Sequence, residues 1–185
     1  MQPTRRPLEP AAMGRLAAIE FAGFVREDRG AAGGGVQVRH TTRSRPHLAV
    51  SIAIGPCSAR RACPAMDLAS WNARQAELRG QLPDDLRDRP DTRFEIRARA
   101  IAGAPAIATY QLGHAGVVDD RHQPSADYTD AYALYYNDGI NQIRVMAQYA
   151  DDAVAGIRPL LAIAPPDDLE QLAVAFASFY LHAWQ

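Results

Sequence analysis

The segment around Asp138-Gly139 constrains the fold of this chain more than any other. Apolar and aromatic side chains alternate with their neighbours over 132–136 before this dipeptide and over 143–147 after it. An alternation of period two is typical of a strand that buries one face. Asp-Gly supplies the positive φ that a tight turn between antiparallel strands requires. The sequence therefore predicts a β-hairpin, and with it an antiparallel sheet.

Further segments fit the same architecture. The other predicted strands cover 15–25, 36–40, 48–54, 93–100 and 106–112, and amphipathic helices are predicted over roughly 65–82 and over 167–184. Residues 1–14 are predicted to form a flexible N-terminal arm, 27–35 a glycine-rich loop, and 15–185 a single domain. The predicted class is α+β: an antiparallel sheet covered by a middle helix and a C-terminal helix.

Two elements have patterns that predict which side chains are buried. In the strand 93–100, we expect Phe94, Ile96 and Ala98 to face the core and Arg93, Glu95, Arg97 and Arg99 to face water. In the C-terminal helix, we expect Leu169, Leu172, Phe176 and Phe179 to lie on the sheet and Asp168, Glu170 and Gln171 to lie in water.

The hairpin residues Tyr135 to Ile140, the proline-rich turn after them and the helix from Asp167 to Trp184 resemble the Mog1/PsbP-like fold. In that fold an antiparallel sheet carries a middle helix and a C-terminal helix. The resemblance covers roughly residues 36–184 and consists of the order of the elements. The roles of that family are mostly non-catalytic: binding a partner protein, assisting photosystem assembly, or chaperoning a secreted effector. The resemblance thus implies a binding or accessory function, although fold alone does not determine function.

The composition excludes several enzyme classes. All 20 basic residues are arginine, as suits a protein from a GC-rich genome, and lysine is absent. Without lysine there is no Walker-A phosphate lysine, no kinase-type lysine and no Schiff-base lysine. The chain also lacks the GxSxG motif and a GxGxxG motif that opens a helix. No cofactor is therefore expected.

Charge and hydropathy bear on partners and compartment. The net charge of −1 gives no basic field for nucleic acid. No apolar run approaches the 18 residues of a membrane span. The polar, proline-rich start lacks the apolar segment of a secretory signal. As numbered, the protein is expected in the cytoplasm, or in the periplasm or outside the cell if a signal was removed. The oligomeric state stays open.

The two cysteines, Cys57 and Cys63, flank five residues, a spacing that fits neither a CxxC redox motif nor half of a zinc site with a second half elsewhere. In an oxidising compartment they could close a small loop as a disulfide. In the cytoplasm they would be free thiols. The neighbouring arginines would favour a thiolate, so a catalytic cysteine is the third alternative.

A polar loop over 114–130 concentrates residues of metal-ligating type. Its candidate ligands are His114, Asp119, Asp120 and His122. Their spacing matches neither an HExxH motif nor an EF-hand loop, and a solvated acidic loop is the competing interpretation. The length of the loop favours a functional use over a plain connection.

Aromatic and basic side chains near the hairpin form a candidate partner surface, which consists of Tyr128, Tyr132, Tyr135, Arg97 and Arg99. Tyrosine is common at interfaces. It is also common in strands, where ordinary packing explains it, and alternating arginine on a wet strand face is ordinary solvation.

Two functions remain after these exclusions. The leading hypothesis is a non-enzymatic binding or accessory module that recognises a protein or peptide partner. The alternative is a small-molecule- or metal-binding enzyme that uses the 114–130 loop. A deep cavity lined by His114, Asp119 or His122 would favour the enzyme, and a shallow apolar groove would favour the partner binder.

Overall fold

The structure is a computed structural model that describes residues 6–32, 34–43, 48–57, 62–80, 93–112, 131–149 and 167–184. These ranges contain seven strands and three helices. In chain order they are α1 (Pro10–Ala17), β1 (Phe24–Ala32), β2 (Gly35–Thr42), β3 (Leu48–Pro56), α2 (Leu68–Gly80), β4 (Arg93–Ile101), β5 (Ala104–Leu112), β6 (Ala131–Asn137), β7 (Asn141–Tyr149) and α3 (Asp167–Trp184).

The seven strands form one sheet in the order β1-β2-β3-β7-β6-β5-β4, and all neighbouring strands are antiparallel. Two runs of sequential hairpins, β1 to β3 and β4 to β7, meet where β3 pairs with β7. The predicted turn joins β6 to β7, with Gly139 at a φ of 89°. Helices pack against this sheet, so the predicted α+β class is confirmed.

The core lies between one face of the sheet and α3. The helix buries Leu169, Ala173, Phe176, Ala177 and Tyr180 against side chains of β3, β5, β6 and β7. The prediction for Phe179 is wrong, because that ring is 49% exposed. The buried stripe passes through Ala173, Ala177 and Tyr180, so Phe179 lies at its margin.

The N-terminal region differs from the prediction. The predicted strand 15–25 is wrong, because α1 extends to Ala17 and β1 begins at Phe24. Residues 10–14, expected in a flexible arm, belong to α1, which begins at a proline in the first helical turn. Met13, Leu16 and Ala17 follow one another at helical spacing and are buried.

The glycine-rich segment is also more regular than expected. Residues 27–32 belong to β1 and Gly35 begins β2, so the predicted loop over 27–35 is wrong for most of its length. Gly35 packs directly on the backbone of β3: a Cβ there would lie 2.5 Å from the carbonyl oxygen of Ile54. A Cβ on Gly55 would lie 2.7 Å from the Cα of Gly35. A glycine on each strand permits this close approach.

The faces of β4 are opposite to those predicted. Arg97 lies opposite Ala108 and Arg99 lies opposite Ala106, two buried core residues on the α3 side of the sheet. Paired residues of antiparallel strands point to the same side, so the charged row of β4 faces α3. Ala98, which shares the other row, is exposed. The reason is that Ile101 points to the same side as these arginines and is buried in the core, so the whole row faces the helix.

Candidate functional site

A shallow polar cleft lies between the edge strand β4 and the first turn of α3. We call it the β4–α3 cleft. It is lined by Glu95, Arg97, Ala108, Tyr110, Tyr132 and Glu170. Its volume is about 230 Å³, including space that is open to solvent. Its enclosed part has room for about one water molecule, so the cleft can admit a single polar group but not a whole small molecule.

The register of three strands builds the floor of the cleft. Glu95 of β4 lies opposite Tyr110 of β5, and Tyr110 lies opposite Tyr132 of β6. These three side chains therefore stand side by side on the α3 face. Ala108 lies opposite Arg97 in the next row toward the core, and its small side chain leaves room beneath the longer ones.

Two ion pairs run through the cleft. The Nη2 atom of Arg99 donates a hydrogen bond of 2.9 Å to Oε1 of Glu170, which ties β4 to α3 across 71 residues of sequence. Arg97 pairs with Glu95 two positions earlier on the same strand. All four side chains are partly exposed, and Arg97 is the most exposed at 45%. The four charges cancel, so the cleft itself has no net charge.

Two buried polar atoms in or beside the cleft have no hydrogen-bond partner among the described residues. They are the hydroxyl of Tyr132, which lines the cleft, and Nε of Arg99, which pairs with the lining residue Glu170. The Tyr132 hydroxyl lies close enough to Arg99 to raise the pKa of that guanidinium, but the two groups do not meet hydrogen-bond geometry. Burial raises the pKa of the Tyr132 hydroxyl above its usual 10.0. Both groups therefore remain protonated at neutral pH, and each has a proton to donate.

The structure brings together three of the five residues predicted as a partner surface. Arg97 and Tyr132 line the cleft, and Arg99 lies beside it, paired with the lining residue Glu170. Tyr135 lies on the opposite face, where its ring is 4.6 Å from that of Trp71 in α2. Tyr128 lies outside the described residues.

Sequence reasoning missed Glu95, Tyr110 and Glu170 as members of the site. Glu170 was expected in water, because a carboxylate in the first turn of a helix is explained by the helix dipole alone. Its partner Arg99 is distant in sequence, and only the sheet register brings the two together. The assignment of Arg99 to the wet face hid the pair.

The metal candidates His114, Asp119, Asp120 and His122 lie outside the described residues, so the metal site stays a prediction. Within the described ranges, no group of three or more His, Cys, Asp or Glu side chains could hold a metal ion.

The structure joins Cys57 and Cys63 in a disulfide, with their Cα atoms 5.2 Å apart. The amide of Cys57 donates a 2.6 Å hydrogen bond to the carbonyl oxygen of Ile140. Nδ2 of Asn137 donates to the carbonyl oxygen of Pro64, just past the second cysteine. The disulfide loop is thus attached to the β6–β7 turn at both ends.

A second buried polar group lies in the core. Nε2 of His40 and the Tyr180 hydroxyl form a hydrogen bond of 3.1 Å. The Phe21 ring meets the imidazole edge-on at 5.0 Å, and Phe176 lies 5.4 Å away. Burial, and then the positive charge of Arg26, lower the pKa of His40 from 6.5 to about 4. The imidazole is fully buried by aromatic rings, so this pair belongs to the core.

Comparison with family models, with curated proteins and with solved structures found no match. The likeness to the Mog1/PsbP-like fold therefore stays a prediction. None of the helices in the described part of the chain is long and apolar enough to cross a membrane.

Proposed function

We propose that this protein is a binding or accessory module that recognises a protein or peptide partner without chemical conversion, and that the β4–α3 cleft is the recognition site. The proposal is carried by two buried donors, the hydroxyl of the lining residue Tyr132 and Nε of the adjacent Arg99.

Buried polar groups in native proteins nearly always have a hydrogen-bond partner, and leaving one unsatisfied costs about 1–3 kcal/mol. The Glu170 carboxylate lies near the Tyr132 hydroxyl and accepts a hydrogen bond from Nη2 of Arg99, yet the two donors stay without a partner. An additional oxygen acceptor would satisfy them. A carboxylate or a carbonyl oxygen of a partner chain supplies one in the right chemical form. The same interaction is available to an acidic side chain, a chain terminus or an exposed peptide group.

The surroundings of the donors suit a macromolecular partner. The cleft is small, and it opens beside the edge of a sheet, where an extended chain can lie. Arg97 is a long and partly exposed side chain on the solvent side. Its displacement would open the way to the two donors below.

The experiment that tests this proposal compares the wild type with Tyr132→Phe in affinity capture from the host organism, quantified by mass spectrometry. The substitution removes one buried unsatisfied hydroxyl and leaves the ring in place. We expect the denaturation midpoint to stay the same or to rise, and the affinity for the captured partner to fall about tenfold, as for one lost hydrogen bond of about 1.4 kcal/mol.

The matched control is Tyr135→Phe, which alters another tyrosine of the same strand, on the opposite face of the sheet. It should leave capture unchanged. Equal capture by the wild type and Tyr132→Phe would refute the cleft as the recognition site. A lowered midpoint for Tyr132→Phe would show that the hydroxyl serves the fold instead.

A further inference from the structure

The two edge strands of the sheet differ in how they are protected. β1 is exposed from Val25 to Gly30, and its pairing with β2 shifts register between Asp28 and Ala31. Such bulges twist an edge and discourage a further strand from pairing. β4 pairs with β5 through nine consecutive residues without a shift, and no strand in the described ranges pairs with its outer edge. β4 is therefore the regular edge to which another strand can add.

The sequence of β4 is complementary to itself when it is read in the opposite direction. An antiparallel copy centred on Ile96 places Glu95 opposite the Arg97 of the other copy, and Arg97 opposite its Glu95. Cross-strand pairs of opposite charge stabilise a sheet, and like charges directly opposite destabilise it. On the other face, the partly buried Ile96 side chains meet at the two-fold axis.

The same register places Arg93 opposite Arg99. The charge of Arg99 is compensated within its own protomer by Glu170. Other registers are less favourable. A centre at Phe94 also sets Glu95 opposite Arg93, but it pairs only residues 93–95 of the strand, whereas the centre at Ile96 pairs 93–99. A centre at Glu95 or Arg97 sets a charge opposite its own copy, and a centre at Ala98 sets Arg97 opposite Arg99.

We infer that two copies of this chain associate through β4, in antiparallel register about Ile96, to form a continuous sheet across a two-fold axis. Two-fold pairing of one surface with itself is the commonest form of homo-oligomer. Because strand pairing buries little surface, the dimer is a weak one that forms with rising concentration. The inference does not rest on the proposed function.

The test is a charge exchange followed by analytical ultracentrifugation over a concentration series. For the wild type, we expect the mass to rise from 20.2 kDa toward twice that value. Glu95→Arg alone and Arg97→Glu alone should each stay monomeric, because each sets like charges opposite one another. A mixture of the two variants restores both opposite-charge pairs, so it should dimerise as the wild type does.

The matched control is Glu27→Arg on β1, where Glu27 pairs with Arg29 two positions later, as Glu95 pairs with Arg97. That variant should dimerise as the wild type does. A wild type that stays monomeric at every concentration, single variants that still dimerise, or a mixture that stays monomeric would each overturn the inference.

A measurement on the wild type does not depend on the folding of the variants. Amide hydrogen exchange should slow in β4 as concentration rises and stay constant in β1; equal behaviour of the two edges would also overturn the inference. Tyr132→Phe should give the same mass in analytical ultracentrifugation as the wild type at each concentration. The failure of the dimer is thus distinguishable from the failure of the proposed function.

Discussion

Replacement of Phe176 by alanine should destabilise the protein far more than replacement of Phe179 by alanine, although the sequence predicts both rings on the sheet. Phe176 is 4% exposed, and its ring lies 4.2 Å from that of Phe21 and 5.3 Å from that of Phe24. Truncation of such a ring removes its transfer free energy and leaves a cavity, at a cost of about 3–5 kcal/mol. For a chain of this size, that loss lowers the midpoint of thermal unfolding by about 6–20 °C.

Phe179 is the matched control on the same helix. Its ring is 49% exposed and meets Phe21 edge-on at 5.1 Å. Because about half of its surface is already in water, we expect Phe179→Ala to cost about 1 kcal/mol or less.

The measurement is urea denaturation of both variants, monitored by far-ultraviolet circular dichroism. The dependence of the free energy of unfolding on urea concentration is compared with that of the wild type, because a difference would indicate a changed unfolded state. Total stability of a domain is usually about 5–15 kcal/mol, so Phe176→Ala should remove a large part of it. Equal losses for the two variants, or a larger loss for Phe179→Ala, would refute the placement of α3 on the sheet.

Three further predictions concern the core, the β2–β3 contact and the disulfide. The pKa of His40 is lowered from 6.5 to about 4, so between these pH values the unfolded chain binds a proton that the folded protein does not. The free energy of unfolding should therefore fall by up to about 3 kcal/mol between pH 6.5 and pH 4. Denaturation curves of His40→Gln should lack that part of the pH dependence. Gly35→Ala sets a Cβ 2.5 Å from a backbone oxygen of β3 and should cost about 1–3 kcal/mol by calorimetry, whereas Gly14→Ala in the open interior of α1 should stabilise by about 0.5–1 kcal/mol. Reduction of the Cys57–Cys63 disulfide should lower the stability of the oxidised protein by about 2 kcal/mol in denaturation curves, and an unchanged curve would count against a structural role.

Periodicity predicted the strands of the sheet better than it predicted their faces. The alternation around Asp138-Gly139 became β6 and β7 with the expected turn. The alternation in β4 was equally regular, yet its charged row lies on the helix side. A period of two fixes which side chains share a face, but not which face is buried. At an edge strand, a long arginine side chain on the core side still reaches water with its charged end. The charged residues therefore do not show which face of the strand is buried.

Local composition misled at the N-terminus. The predicted boundary between a flexible arm and a strand fell between residues 14 and 15, so Met13 and Leu16 were assigned to different segments. Their helical spacing, which marks the buried side of α1, was therefore missed. The glycines near residue 34 indicated a loop, because sequence alone does not show that a backbone passes close by. The contact between Gly35 and β3 depends on a pairing that only the folded chain displays.

The site could be predicted only in part. Arg97, Arg99 and Tyr132 were chosen for their chemical types, and the structure places the first and last in the lining of one cleft and Arg99 beside it. Tyr135 had the same type and neighbourhood, but its strand position sends it to the opposite face. Glu170 could not be assigned, because its role depends on the packing of α3 against an edge strand distant in sequence.

The most direct test of the proposed recognition site is to map where a partner contacts the protein. A photo-crosslinking amino acid in place of Arg97, a partly exposed side chain of the β4–α3 cleft, should link on irradiation in host extract to a protein other than a second copy of this chain. The same probe in place of Arg144, which is exposed on the opposite face of β7, is the matched control and should give no such product. We expect a crosslinked product from position 97 whose yield Tyr132→Phe lowers. A product from position 144 and none from position 97 would contradict it.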